Sequence, residues 1–138
     1  MKKIGLLIAL FISLASCSND SDGIASPNSA YYGKWIEVPD PAANTIAGME
    51  VYYVFDKNQT FVKTVPYSEG NKTLSGKYEI VKNEAGTSFI LTYSSANELI
   101  SNCTSGALTE TFKINQMDYL VNQSSSCGKR YSSFKKVK

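Results

Sequence analysis

The chain predicts an all-β domain, an antiparallel up-and-down β-barrel of about eight short strands. Two observations carry the prediction. Short runs rich in Val, Ile, Thr, Tyr and Phe alternate apolar and polar residues with a period of two, as strands with one buried face do. Clusters of Gly, Pro, Asn and Asp separate these runs, and no long amphipathic helical pattern or internal repeat interrupts them. Strands in simple succession form a meander, and closing the meander removes its exposed edges.

Gly33-Lys34-Trp35-Ile36-Glu37-Val38 opens the body of the domain and holds the only tryptophan, the largest side chain available to seed a core. The first strand covers Tyr32 to Val38 and is broken by Pro39-Asp40-Pro41. After a loop with Asn44 and Gly48, Met49 to Phe55 is the second strand, and Asp56-Lys57-Asn58-Gln59 has hairpin-turn chemistry. Thr60 to Val65 returns and is expected to stop at Pro66. Glu69-Gly70-Asn71-Lys72 turns into a fourth strand in which Leu74, Gly76, Tyr78 and Ile80 alternate with Ser75, Lys77, Glu79 and Val81. Asn83-Glu84-Ala85-Gly86 leads to Ser88 to Tyr93, and Ser94 to Gly106 reads as loop. Leu108 to Ile114, Met117 to Asn122 and Lys129 to Lys136 complete the count, with Ser124-Ser125-Ser126 as loop filler before the last.

The N-terminal 17 residues carry an address. Lys2 and Lys3 precede an apolar run, Ile4 to Ile12, too short to span a bilayer. Leu14-Ala15-Ser16-Cys17 then resembles the bacterial lipoprotein signal, which implies cleavage before a lipidated Cys17 and lasting attachment to a membrane. The alternative is an ordinary secretory signal with an incidental cysteine. Residues 1–16 are thus expected to be signal peptide, residues 17–30 a lipidated cysteine and polar tether, and residues 31–138 the barrel domain. Asp20 and Asp22, close behind the cysteine, resemble the surface-export signal of Bacteroidetes lipoproteins, and a plain soluble linker reads equally well.

The order of short motifs resembles bacterial lipocalin-like domains, which are frequent among small lipoproteins of Bacteroidetes. The motifs are Gly33-Lys34-Trp35, then Tyr53-Val54-Phe55-Asp56 to Thr60-Phe61, then Ser75-Gly76-Lys77-Tyr78-Glu79-Ile80, then Phe112-Lys113-Ile114 to Asp118-Tyr119-Leu120. The resemblance spans roughly Tyr31 to Phe134 and departs at Asn58-Gln59, where the family usually places a glycine. It implies an eight-stranded barrel, often closed at one end and sometimes enclosing a cavity.

Composition narrows the function. There is no histidine, so the commonest general base and metal ligand is missing. No nucleophile–base pair, metal-ligand spacing or Gly-rich phosphate loop is legible, so no enzyme, cofactor or metal is expected. Without Lys2 and Lys3 the 14 basic residues fall to 12, against 12 acidic, which gives a nucleic-acid partner no electrostatic footprint. Glu37, Glu50, Glu79 and Glu110 read as solvated outer faces, the alternative being two of them meeting inside the barrel. The basic C-terminal run, Lys129, Arg130, Lys135 and Lys136, reads as a solvated face protecting an edge strand, over a polyanion or headgroup site. Cys103 and Cys127, the pair remaining after Cys17, favour a disulfide in an exported protein over free thiols or a metal pair.

Two functions from different classes follow. In the first, a lipoprotein of the outer membrane, facing periplasm or cell surface, binds a small apolar or amphipathic ligand. Its candidate contacts are Trp35, Tyr53, Phe55, Tyr78, Phe89 and Tyr93, because a buried phenol needs a polar partner that a ligand or the barrel mouth supplies. Phe61, Leu91, Phe112 and Tyr131 extend the same apolar face. In the second, these rings fill the barrel, and its outer surface docks another envelope protein or inhibits a hydrolase. An eight-stranded interior is compatible with both.

Overall fold

The computed structural model describes residues 28–40 and 48–138. Cys17, the tether up to residue 27 and the Asn44 loop lie outside the described residues. Eight antiparallel strands close into a barrel in the order of the sequence. They are β1 (Gly33–Glu37), β2 (Tyr52–Phe55), β3 (Thr60–Tyr67), β4 (Gly70–Asn83), β5 (Gly86–Tyr93), β6 (Thr109–Ile114), β7 (Leu120–Asn122) and β8 (Ser133–Lys136). Closure comes from β8 against β1, with Ile36 opposite Lys135.

Alternation decides the interior. Trp35, Tyr53, Phe55, Phe61, Tyr78, Phe89, Leu91, Tyr93, Phe112, Leu120 and Phe134 form one buried cluster. Most of their rings meet edge-on or tilted, for example Phe61 on Tyr93 with centroids 4.9 Å apart and Tyr53 on Phe134 at 5.0 Å, while Tyr53–Phe55 and Tyr78–Phe89 are stacked. Tyr131, expected on this face, is instead 52% exposed.

The two ends of the barrel differ. At one end a 3-10 turn, Ser29–Tyr31, lies across the opening, and we call this the closed end. The Trp35 indole N–H donates to the Tyr31 carbonyl at 2.9 Å, and the Tyr31 ring meets Phe89 edge-on at 5.3 Å. The tight turns β2–β3, β4–β5 and β6–β7 share this end. Gln59 takes a left-handed φ of 60°, the conformation for which a glycine is the easiest residue. The other end, the loop end, receives the β5–β6 loop and the β7–β8 connection.

Several boundaries move from the sequence expectation. Pro66 does not stop β3; the strand runs through it to Tyr67, with Pro66 opposite Asn71. A proline is tolerated there because its missing N–H faces away from β4. β7 starts at Leu120, not Met117, because the Asn115 side chain accepts from the Met117 and Tyr119 N–H groups and holds a turn. β8 starts at Ser133, not Lys129, and it pairs on both sides, so its lysines protect no edge. Ser124 to Ser126 are not filler. They form a 3-10 turn, Gln123–Cys127, capped by the Asn122 side chain, which accepts from Ser124 N at 2.7 Å, and Ser124 is buried.

β4 is longer than its neighbours. It pairs with β3 over Gly70 to Lys77 and with β5 only from Gly76 onward. The tips of β3 and β4 therefore project beyond the barrel as a two-stranded ribbon. Gly76 marks the branch point. A Cβ there would lie 2.0 Å from the Thr92 carbonyl oxygen and 2.9 Å from the Phe61 ring. Gly76→Ala is expected to cost about 3 kcal/mol by forcing backbone and ring apart, measurable by denaturant unfolding; an unchanged unfolding midpoint would show that the ladder yields freely there.

Candidate functional site

The interior near the loop end is not purely apolar. Phe61 and Lys63 share the inward parity of β3, and Glu110 and Phe112 share that of β6, so a cation and a carboxylate are both aimed into the barrel. Lys63 Nζ lies 2.7 Å from Glu110 Oε1, and Glu110 has no exposed surface. The Tyr53 and Tyr93 hydroxyls both donate to Glu110 Oε2, at 2.7 and 2.6 Å. The β5–β6 loop completes the set. Ser101 N donates to Glu110 Oε1 at 2.5 Å, and Lys63 Nζ donates to the Leu99 carbonyl at 2.7 Å.

This arrangement follows from the cost of burying charge. An isolated carboxylate or ammonium in an apolar interior is strongly disfavoured, and a pair is tolerated only when its remaining hydrogen bonds are made. Here they are made: among the described residues no buried side-chain nitrogen or oxygen lacks a partner. With four donors on its two oxygens, Glu110 has little capacity left to act as a base. The chemistry of the cluster is therefore that of a lock, in which side chains from β2, β3, β5 and β6 hold the main chain of Leu99–Ser101 over the barrel mouth.

Three further ties secure the loop. Cys103 and Cys127 form a disulfide with Cα atoms 5.6 Å apart, joining the β5–β6 loop to the second 3-10 turn. The Ser101 and Ser124 hydroxyls hydrogen-bond at 2.8 Å, and the Asn102 amide donates to the Thr109 carbonyl. The bond closes a sequence separation of 24, worth about 3 kcal/mol in the chain-entropy description.

Each ligand-contact candidate has a defined place. Trp35, Tyr53, Phe55, Tyr78, Phe89 and Tyr93 are all brought together, and all are buried against one another. The phenols that suggested a ligand find their partners inside the chain: Glu110 for Tyr53 and Tyr93, and the Asp56 carbonyl, at 2.7 Å, for Tyr78. Glu37 and Glu110 are not outer-face residues. Glu37 is buried beside Arg130, with 3.0 Å between Arg130 Nη2 and its Oε1, and it accepts from Val51 N on Oε2. The two buried carboxylates go to different cations and form no acid pair. Glu79 is exposed, as expected.

Outside the barrel wall, a groove of about 740 Å3 opens where β5 leaves β4, bordered by Val62, Ser75, Gly76, Lys77, Thr92 and Ser94. A cleft of about 390 Å3 at the closed end is bordered by Tyr32, Lys57, Gln59 and Tyr78. Among the described residues no group of His, Cys, Asp and Glu could hold a metal ion. Compared with protein-family models, curated proteins and solved structures, the chain matches none.

Lys63 and Glu110 escaped the sequence reading although a signal was present. Each has the same strand parity as an aromatic core residue two positions away. Their charge argued outward and their parity argued inward, and parity won because each charge has a partner across the barrel.

Two outcomes are expected. Lys63→Met leaves Glu110 buried without its cation and should cost about 3–5 kcal/mol, whereas Lys63→Met with Glu110→Leu should recover most of that loss. Chemical denaturation of these variants and of Glu110→Leu alone checks this, and a double-variant loss equal to the sum of the two single losses would show that the pair is not coupled. Burial raises Tyr53 and Tyr93 well above the ordinary tyrosine range, with the neighbouring Glu110 charge adding to it. Burial, with Tyr32 and Asp56 nearby, pushes Tyr78 up to about 12. The unfolded chain ionises these phenols near the ordinary value of 10.0 while the folded chain keeps them protonated. Their stabilising contribution is therefore complete below pH 10 and falls as pH rises above it, for Tyr78 through about 12. A phenolate absorbance titration should show these three of the nine tyrosines ionising last, together with unfolding; a single common titration would contradict their burial.

Proposed function

We propose that this protein is a lipid-anchored envelope protein, of the bacterial lipocalin-like kind, whose filled barrel is a rigid scaffold for docking another protein. The observation that carries the reading is the occupancy of the interior. Eleven packed side chains and the Lys63–Glu110 cluster take up the space where a lipocalin-like barrel would hold a ligand. The mouth itself is covered by a loop tied down from below by ion-pair partners and from the side by a disulfide.

The placement of the chain's entry supports a direction. Asn28 leads into the closed end, so an anchor at Cys17 puts that end toward the membrane and turns the loop end outward. Exposed Tyr67, Leu108 and Tyr131 belong to the outward side, and exposed Met117 to the membrane side. A hydrolase or another envelope component is the class of partner this scaffold suits. A small amphipathic ligand is the second reading, moved from the interior to the outer groove, whose volume exceeds the roughly 300 Å3 that a ligand site needs.

Photo-crosslinking in the native envelope separates these readings. A benzophenone amino acid at Tyr67, Leu108 or Tyr131 is expected to give one discrete protein adduct, and the same probe at Met117 none. Failure at all three loop-end positions, together with saturable uptake of a fluorescent fatty acid that quenches Trp35, would overturn the docking reading in favour of a ligand carrier.

A further inference from the structure

The amide side chains divide into two groups. One group is engaged by nearby main chain. The Asn83, Asn97, Asn115 and Asn122 side chains accept from backbone N–H groups, and the Asn102 and Gln123 amides donate to backbone carbonyls. Among the described residues, Asn28, Asn58, Gln59, Asn71 and Gln116 have side chains without such a bond. Three of these, Asn28, Asn58 and Gln59, border one cleft of about 390 Å3 at the closed end. Lys57 joins them there, and among the described residues its ammonium makes no ion pair. Its acidic neighbour Asp56 is turned back onto the β2–β3 turn, where Oδ1 accepts from Asn58 N at 3.3 Å, and does not border the cleft. Tyr32 supplies an aromatic stretch of the border, and Tyr78 is its most buried member, with its hydroxyl on the Asp56 carbonyl.

Gln59 is kept at this border at a cost. Its φ of 60° lies in the left-handed region, where a side chain is strained and a glycine is not. Asp118 takes the same conformation in the β6–β7 turn, at 59°, but aspartate is among the residues that enter it most readily. Glutamine lacks that local preference. A glycine at position 59 would relieve the turn, and it would also take one amide away from the cleft.

We propose that this cleft binds a sugar that carries an acid group. An amide offers a donor and an acceptor side by side, and each hydroxyl of a sugar ring asks for both, so a set of amides without internal partners matches a polyhydroxylated ring. The negative face of the Tyr32 ring suits the polarised C–H groups of a sugar. Lys57 supplies the cation for a carboxylate or phosphate on it. The volume lies within the range of roughly 300–1,000 Å3 found for small-molecule sites. The cleft is remote from the Lys63–Glu110 lock and from the loop-end residues Tyr67, Leu108 and Tyr131, so a protein docked there leaves it open. The proposal goes beyond the docking reading and does not depend on the lipid anchor. An acidic sugar reaches the cleft either free or as the headgroup of a glycolipid, and the closed end is the one that an anchor at Cys17 would hold toward a membrane.

NMR titration of the isotope-labelled full chain with glucuronic acid and a hexose phosphate, and with glucose as the neutral counterpart, tests the site. The side-chain amide signals of Asn28, Asn58 and Gln59 report on it directly. The expected result is a saturable shift of those signals, with at least one acidic sugar binding about tenfold more tightly than glucose. Lys57→Gln should erase that preference. Gln59→Gly should weaken binding about tenfold while leaving the unfolding midpoint no lower, a combination that a purely structural glutamine would not give. Gln116→Ala, which removes an amide outside the cleft, should change neither. A second arm presents the sugar on phosphatidylcholine nanodiscs with and without a glucuronosyl diacylglycerol. Tighter binding there than in solution assigns a headgroup as the source, and binding of the free sugar alone assigns a soluble one. Amide signals that stay in place in both arms, or shifts that survive both Lys57→Gln and Gln59→Gly, overturn the proposal.

Discussion

The barrel depends on how it accommodates one carboxylate. Glu110 lies wholly inside, where an ionised group would cost more than the fold can spare unless every lone pair is engaged. Meeting that demand draws in Lys63 from β3, Tyr53 from β2, Tyr93 from β5 and the backbone of Ser101 from the loop above. Apolar packing is non-directional and tolerates small shifts of neighbours. This cluster does not, because each bond has a set length and direction. It specifies which way the β5–β6 loop lies and which strands stand opposite one another across the barrel.

The same demand explains the two ends. The closed end is sealed by the Tyr31 ring on Phe89 and the Trp35 indole on the Tyr31 carbonyl, with Lys136 donating to the Ala30 carbonyl from the outside. The loop end is sealed by charge and by a covalent bond. Sending the β5–β6 loop across the mouth takes it away from β4, and that departure leaves the tip of the β3–β4 ribbon without a third strand. The covered mouth and the open edge are thus two consequences of one turn of the chain after Tyr93. Gly76 permits the branch, since a side chain there would run into the Thr92 carbonyl.

Much of the fold was legible because period-two patterning is a local property. Trp35, Tyr53, Phe55, Tyr78, Phe89 and Tyr93 read as one buried face and form one. The Cys103–Cys127 disulfide was expected from the pair of cysteines left after Cys17, and it is present. The less legible features were those in which side chains cap turns or complete charged clusters. Nothing local in Ser124-Ser125-Ser126 announces a capped 3-10 turn with a buried hydroxyl, because the cap comes from Asn122 and the burial from the loop carrying Ser101. Pro66 was misplaced for the opposite reason. A proline breaks a strand only where its missing N–H is required, and that depends on which neighbour stands beside it.

By itself the sequence determined the all-β class, the strand order, the aromatic interior and the cysteine pair. Each rests on residue type and on alternation along a single strand. Tertiary structure alone decided the state of that interior. Whether a phenol in a barrel waits for a ligand or is already satisfied depends on which groups lie across from it. Here Glu110, distant in sequence and of a charge that argues for solvent, stands opposite Tyr53 and Tyr93 and takes both hydroxyls. Charge sets the cost of entering the core, but only the closure of the sheet brings together the partners that offset it.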